Sequence, residues 1–282
     1  VMDFFNLSMF DMEVSKYFRK MVKETVEYRE KNNVKRNDFL QLLIQLKNKG
    51  YVAPDNESEE STTEAAEINY LPMDSLAAQA FVFYAAGFET SSTTMTFCLY
   101  ELALNPDIQD RTRKEILKVL DKHDGKITYE CILDMHYLHQ VVSETLRKYP
   151  ALPMLNRECT QDYTIPGTDI VIEKKTPTVV PVKALHHDPK YYPNPEKFDP
   201  DRFTEEEIQK RHPFVYLPFG EGPRICIGMR FGLMQTKVGL VSVLSKFQVA
   251  VCPKTAIPIE YEKTTITLSP VGGIWLQIKK CS

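Results

Sequence analysis

The chain has 282 residues, 43% of them hydrophobic, enough to bury a large core in one large domain or two small ones. A net charge of −3 provides no global positive field for nucleic acid, so nucleic-acid binding is not expected. The six cysteines, Cys98, Cys131, Cys159, Cys226, Cys252 and Cys281, show neither C-x-x-C pairs for zinc nor the density of a secreted disulfide framework, so reduced thiols in a cytosol-facing protein are expected.

Val1 is no initiator and no basic-then-apolar signal precedes the first helical residues, which reads as a fragment of a longer protein. Over residues 12–31, Val14, Phe18, Val22 and Val26 recur four apart as one apolar stripe. Lys16, Arg19, Lys20, Lys23, Glu24 and Glu27 surround it, and this mixed charge favours a surface helix over a membrane-seeking one. A second helix is predicted over 37–49, stopping at Gly50, a usual C-cap residue. Residues 52–69 turn acidic and lose their large apolar groups, so a mobile surface loop is expected.

The longest predicted element is a central helix over 73–104, capped by Asp74 or Ser75 and ended before Pro106. At 1.5 Å per residue it would be roughly 48 Å long. It has no basic residue, yet Glu89 and the hydroxyl run Thr90-Ser91-Ser92-Thr93-Thr94 interrupt the apolar stretch too early for a membrane span. Within it, Ala86-Gly87-Phe88-Glu89-Thr90-Ser91 sets small residues beside an acid and a hydroxyl. Small residues let a flat ligand approach the backbone, and a Thr hydroxyl can bend the helix.

A charged helix over 107–123 ends at Asp124-Gly125, and Thr128 is placed to cap the short helix after it. The helix over 135–149 carries Glu144 and Arg147, three apart and able to pair on one face. An exposed pair of that kind contributes little. Residues 152–158 read as irregular. Residues 168–185 read as β, with Val171-Ile172 and Val179-Val180-Pro181-Val182 flanking a polar turn at 173–177. His186-His187-Asp188 invites a metal reading, but neighbours on an extended chain point oppositely. Beyond the cysteine loop, Phe247–Val251, Ile266–Leu268 and Ile274–Ile278 read as strands, the last two joined by a hairpin tip at 269–273.

The chain is organised around the loop 218–228, Pro-Phe-Gly-Glu-Gly-Pro-Arg-Ile-Cys-Ile-Gly, followed by a helix predicted over 229–247. A cysteine just before a helix meets unpaired N–H groups and the positive end of the dipole, which favours a thiolate. Cys226 is therefore expected to be an activated thiol or a metal ligand, with glycines letting the backbone wrap round the sulfur where a Cβ would collide. A small buried hydrophobe is the ordinary alternative for a lone cysteine. Gly220-x-Gly222 lacks the third glycine and the preceding strand of a dinucleotide loop.

The spacing Phe219-x-x-Gly222-x-Arg224-x-Cys226-x-Gly228 resembles the haem-thiolate signature of the cytochrome P450 family. The 86–91 motif resembles that family's oxygen-activation segment, and Glu144-x-x-Arg147 its second signature. The stretch from Tyr192 to Phe203 resembles the loop that adds a further arginine, here Arg202. These motifs belong to the C-terminal part of microsomal, insect-type detoxification members, with the N-terminal half not represented. The resemblance implies a mainly α fold with small β-sheets (α+β), the C-terminal portion of the P450 fold in an incomplete single domain over 1–282.

It further implies haem b (iron protoporphyrin IX) with Cys226 as axial ligand to the iron. Arg157 and Arg224 would neutralise the propionates, Phe219 would shield the sulfur, and Gly220, Gly228 and Ala86 would line the cofactor. Glu89 and Thr90 would deliver protons. Glu144, Arg147 and Arg202 would form a structural network, and Phe81, Phe88, Leu152, Leu155 and Val271 would contact substrate. The implied activity inserts one atom of O2 into an apolar small molecule, whether xenobiotic (insecticide or plant toxin) or endogenous lipid or hormone. Electrons would come from NADPH-cytochrome P450 reductase, with cytochrome b5 as a further donor, docking on Lys210, Arg211, Arg230 and Lys237.

The implied location is the cytosolic face of the endoplasmic reticulum membrane, held by an N-terminal anchor absent from this chain. Two other readings stand beside it: a reductase-independent haem-thiolate isomerase or dehydratase acting on peroxides, and a haem-free fragment. The family's Trp-x-x-x-Arg motif has no match, since the sole tryptophan, Trp275, lies near the end.

Overall fold

The computed structural model describes residues 11–52 and 71–281. The acidic stretch expected to be mobile falls outside them from residue 53 onward. By contacts the chain divides into two compact units, Val1–Ala86 and Gly87–Ser282.

In the first unit, α1 (Met12–Lys31) begins where the Asp11 side chain accepts from the Glu13 N–H at 2.7 Å. Its apolar stripe is buried only in its second half. Val22 and Val26 are inside, whereas Val14 is 43% exposed. The next helix, α2 (Phe39–Lys49), starts two residues later than predicted because Asp38 is its cap, and it ends on Gly50 at φ 76°. Arg29 holds the same Asp38 through two bonds of 2.7 Å, tying the two helices together. Leu43, Ile44, Leu76 and Ala77 complete this small core.

The long helix α3 covers Met73–Leu104, so Asp74 lies in its first turn instead of capping it. Among the described residues no helix is long and apolar enough to cross a membrane.

In the second unit, α4 (Pro106–Lys122), α5 (Tyr129–Leu133) and α6 (His136–Lys148) are followed by α7 (Val182–His186), α8 (Glu205–Gln209) and α9 (Met229–Leu244). Cys98 and Leu102 of α3, Ile116 of α4, Leu138, Val141 and Val142 of α6, and Leu240, Val241 and Leu244 of α9 form one core. Glu115 of α4 caps α6, accepting from the Tyr137 and Leu138 N–H groups at 2.8 Å each, a role a side chain of another helix can fill. Thr128 caps α5 as predicted, accepting from Cys131 N. Gly239 of α9 faces Met95 of α3 so closely that an added Cβ would lie 2.3 Å from Sδ.

The β-structure differs from the prediction. Strands β1 (Leu155–Glu158) and β4 (Pro177–Val180) pair antiparallel, Leu155 opposite Val180. Nested inside them, β2 (Tyr163–Thr164) pairs with β3 (Val171–Ile172). The hairpin reversal falls at Pro166-Gly167, with Gly167 at φ 78°, while the polar run 173–177 makes the expected turn between β3 and β4, the Thr176 N–H donating to Glu173 O at 3.1 Å with Lys175 at φ 72°. A Pro-Gly pair supplies both the fixed φ and the positive φ that a tight turn needs. Residues 155–158, read as irregular, thereby become a strand.

At the C-terminus, β6 (Leu276–Lys280) pairs with β5 (Phe247–Val251), not with 266–268. The Leu268 N–H instead donates to Ala151 O at 3.0 Å, and its side chain joins Phe97 and Tyr149 in a separate cluster. The helix α9 stops at Leu244, three residues short of its predicted end, where the chain turns into β5. The architecture is thus mainly helical with small antiparallel sheets.

Candidate functional site

Gly220 and Gly222 take φ of 71° and 73°, in the left-handed region where a side chain is strained. Their requirement is conformational: no atom stands within 4 Å of a Cβ on Gly222, and a Cβ on Gly228 would meet Cys226 Sγ at an ordinary 4.0 Å. The expected collision with the sulfur is therefore not the reason for these glycines. The Cys226 N–H donates to Phe219 O at 2.9 Å and Met229 N donates to Cys226 O at 3.3 Å, fixing the cysteine backbone just ahead of α9. The thiol itself is exposed.

It opens into a cavity of about 340 Å³. The loop contributes Phe219, Gly220, Arg224 and Cys226, and α9 contributes Leu233 and Thr236. Thr90, Ser91 and Thr94 of α3 face in, with Val142 and Leu146 of α6. Leu152, Leu155 and Arg157 complete the lining. Ser92 and Thr94 hydroxyls donate back to the Glu89 and Thr90 carbonyls at 3.0 and 2.8 Å, the pattern that loosens a helix locally.

Among the described residues no carboxylate pairs with Arg157 or Arg224; the Arg157 Nη1 donates only to Asn156 O at 2.9 Å. Two guanidiniums without anionic partners at one cavity suit a ligand carrying carboxylates. Among the described residues no cluster of histidine, cysteine or carboxylate side chains could hold a bare metal ion. A ligand bringing its own metal, with one soft sulfur from the protein, fits the donor set.

Behind the loop lies a buried ion network. Arg147 donates to Glu144 through Nε–Oε2 at 2.7 Å and Nη2–Oε1 at 2.9 Å, with both side chains at 0% exposure. Its remaining donors reach His186 O at 2.9 Å and Pro195 O at 2.7 Å. Glu144 Oε1 also accepts from Asp199 N at 2.9 Å. Arg202 joins less closely: its Nε lies 3.5 Å from Glu144 Oε1 and has no hydrogen-bond partner, while its Nη2 donates to Asn194 O at 2.9 Å. Burial pushes the Glu144 carboxyl up from its ordinary value, against the pull of Arg147, the Asp199 N–H and Arg202.

Of the residues singled out from sequence, Thr90, Leu152, Leu155, Arg157, Phe219, Gly220, Arg224 and Cys226 meet at the cavity. Others lie apart from it. The Glu89 carboxylate accepts from Thr267 Oγ1 at 3.2 Å, Phe88 is 62% exposed, and Val271 lines a small separate pocket with Tyr100 and Ile274. Phe81 and Ala86 belong to the first unit, where the Phe81 ring meets Phe18 edge-on at 4.9 Å. Lys237, expected on a docking face, is buried, and Lys210 is occupied by Glu206 and Glu207 at 2.8 and 2.7 Å.

Sequence reasoning passed over Ser91, Thr94, Val142, Leu146 and Thr236, whose helical spacing does not reveal which face borders a cavity. His186, weighed from sequence only as a metal ligand on an extended chain, instead ends the helix α7. Both its ring nitrogens hold backbone groups, while His187 Nδ1 meets Lys183 O at 2.8 Å.

The model for Cytochrome P450 matches residues 6–276, and the chain belongs to that family, whose cofactor is haem. It is 50% identical to Cytochrome P450 6a2 of Drosophila melanogaster over 97% of this chain and 53% of that protein. It is 48% identical to Cytochrome P450 6k1 of Blattella germanica over 98% of this chain and 54% of that protein. The chain spans about half the length of the curated relatives it matches.

Proposed function

We propose that the full-length protein is a haem-thiolate monooxygenase that inserts one atom of O2 into an apolar small molecule, xenobiotic or endogenous. Its electrons would come from an NADPH-dependent reductase. The observation that carries this reading is the sharing of one cavity by an accessible thiol, two unpaired guanidiniums and the Thr90 hydroxyl.

Cys226 would supply the sulfur that holds the haem iron, Arg157 and Arg224 would hold its carboxylates, and Phe219 would cover the sulfur's surroundings. When bound, the haem supplies the activation of O2. Thr90, on the cavity wall in α3, is the residue assigned to proton delivery beside the cofactor. Glu89, one residue earlier, serves as a proton carrier from outside it, its carboxylate reached by the Thr267 hydroxyl at 3.2 Å. Leu152 and Leu155 give the substrate apolar contact. The glycines at 220 and 228 keep side chains out of the cofactor's way.

Arg230, exposed, remains the candidate for a basic docking face for reductase and cytochrome b5, while Arg211 is held by Arg202 O and the Tyr192 and Phe203 rings. The expected location is the cytosolic face of the endoplasmic reticulum membrane.

The test is turnover by the full-length protein with reductase, NADPH and 18O2. One labelled oxygen atom in the product is the predicted result. Conversion of a lipid hydroperoxide without reductase, with no product from NADPH and reductase, would overturn the reading in favour of an isomerase or dehydratase.

A further inference from the structure

His186 closes α7 with its side chain at 0% exposure, 40 residues ahead of the cysteine by position. The Leu217 N–H donates to His186 Nε2 at 2.9 Å. A backbone N–H can only donate, so Nε2 bears the lone pair and the ring proton sits on Nδ1. From there it donates to Arg147 O at 3.1 Å, and Arg147 Nη1 returns a bond to His186 O at 2.9 Å. Both nitrogens of one neutral imidazole are thus committed to backbone, one at the C-terminal end of α6 and one at the residue before Pro218.

From Leu217 the connection runs on through the loop. Leu217 O accepts from Gly220 N at 3.1 Å, and Phe219 O accepts from Cys226 N at 2.9 Å. The same segment is held on both sides. Tyr216, stacked on the imidazole at 5.4 Å, donates to Ser143 O at 3.0 Å, and Tyr192 donates to Val215 O at 3.1 Å.

We propose that His186 is a positioning residue for the cysteine loop: its neutral, Nδ1-protonated ring clamps Leu217 to the Glu144–Arg147 helix and so sets where Cys226 is presented. This rests on the reading of Cys226 as the haem ligand. A protonated ring would set N–H against the Leu217 N–H, and burial holds His186 down at about 3, so the clamp stays neutral at physiological pH.

The test uses full-length holoprotein carrying His186→Gln, His186→Asn or His186→Phe. A Gln side chain can place an acceptor oxygen where Nε2 lies, Asn restores only a donor near Nδ1, and Phe supplies neither. The expected readout is the reduced carbon monoxide adduct. His186→Gln keeps most of the red-shifted thiolate Soret band, while His186→Asn and His186→Phe shift the ratio of thiolate to non-thiolate forms by roughly ten-fold or more, as one orphaned buried N–H implies.

Retention of the band in all three variants overturns the proposal, as does its loss in all three in step with their thermal stability. Nitrogen-15 spectra of the wild-type ring provide a test that needs no variant, since a proton on Nε2 contradicts the clamp. A wild-type protein without the band would instead sink the Cys226 reading, so the two failures are distinguishable.

Discussion

Arg147 grips Glu144 through two parallel bonds of 2.7 and 2.9 Å in a place where neither side chain reaches solvent. A buried carboxylate beside a fork-shaped guanidinium survives desolvation only while both members are present. Glu144→Gln leaves the Arg147 charge uncompensated and is expected to cost about 3–5 kcal/mol in urea unfolding. Arg147→Lys loses the fork together with the bonds to His186 O and Pro195 O, and is expected to be comparably severe.

Arg202 is the weaker partner, 3.5 Å from the carboxylate and with an unsatisfied Nε. Its replacement by Lys is expected to cost about 1–2 kcal/mol, clearly less than either change above. Equal losses for Arg202→Lys and Glu144→Gln would show that the third charge is as tightly coupled as the pair.

The contact between Gly239 and Met95 predicts a steric effect with a built-in control. A Cβ 2.3 Å from Sδ forces Met95 to move, so Gly239→Ala is expected to cost about 1–3 kcal/mol. Met95→Ala makes a cavity of its own, and in that background Gly239→Ala should cost little or stabilise. Additive losses in the double variant would mean that Met95 does not set the limit.

The buried, neutral His186 predicts an acid-sensitive term. Its pKa is held down at about 3 by burial, with the Arg147 guanidinium and His187 adding to the effect and Tyr192 and Tyr216 flanking the ring. In the unfolded chain a histidine titrates near about 6.5. The unfolded state therefore binds the extra proton, so the contribution is complete above about pH 6.5 and falls toward pH 3 by up to about 1.4 kcal/mol per pH unit. Urea unfolding at stepped pH should show this slope in wild type and lack it in His186→Gln. Identical slopes would remove His186 from the account.

The cysteine loop and the Glu144–Arg147 pair were legible in the sequence because each is written in a few consecutive positions with fixed spacing. The long helix was legible from its unbroken helical composition and the proline that follows it. What escaped depends on distant partners. His186 lies 31 positions from Leu217 and 39 from Arg147, and adjacency to His187 and Asp188 raised only a metal reading that was set aside. The polar turn at 173–177 was legible from its composition, whereas the further reversal at Pro166-Gly167, which nests β2 and β3 inside β1 and β4, was overlooked. The C-terminal pairing was missed because Leu268 answers to Ala151, a partner that no local alternation signals.

The central claim is that the exposed thiol of Cys226 is the sulfur that holds the haem. The most direct measurement is the spectrum of the reduced carbon monoxide adduct of full-length protein carrying Cys226→His. Wild type should show the red-shifted Soret band of thiolate ligation, and the variant should bind haem without it. Persistence of that band in the variant would place the ligand elsewhere and contradict the account.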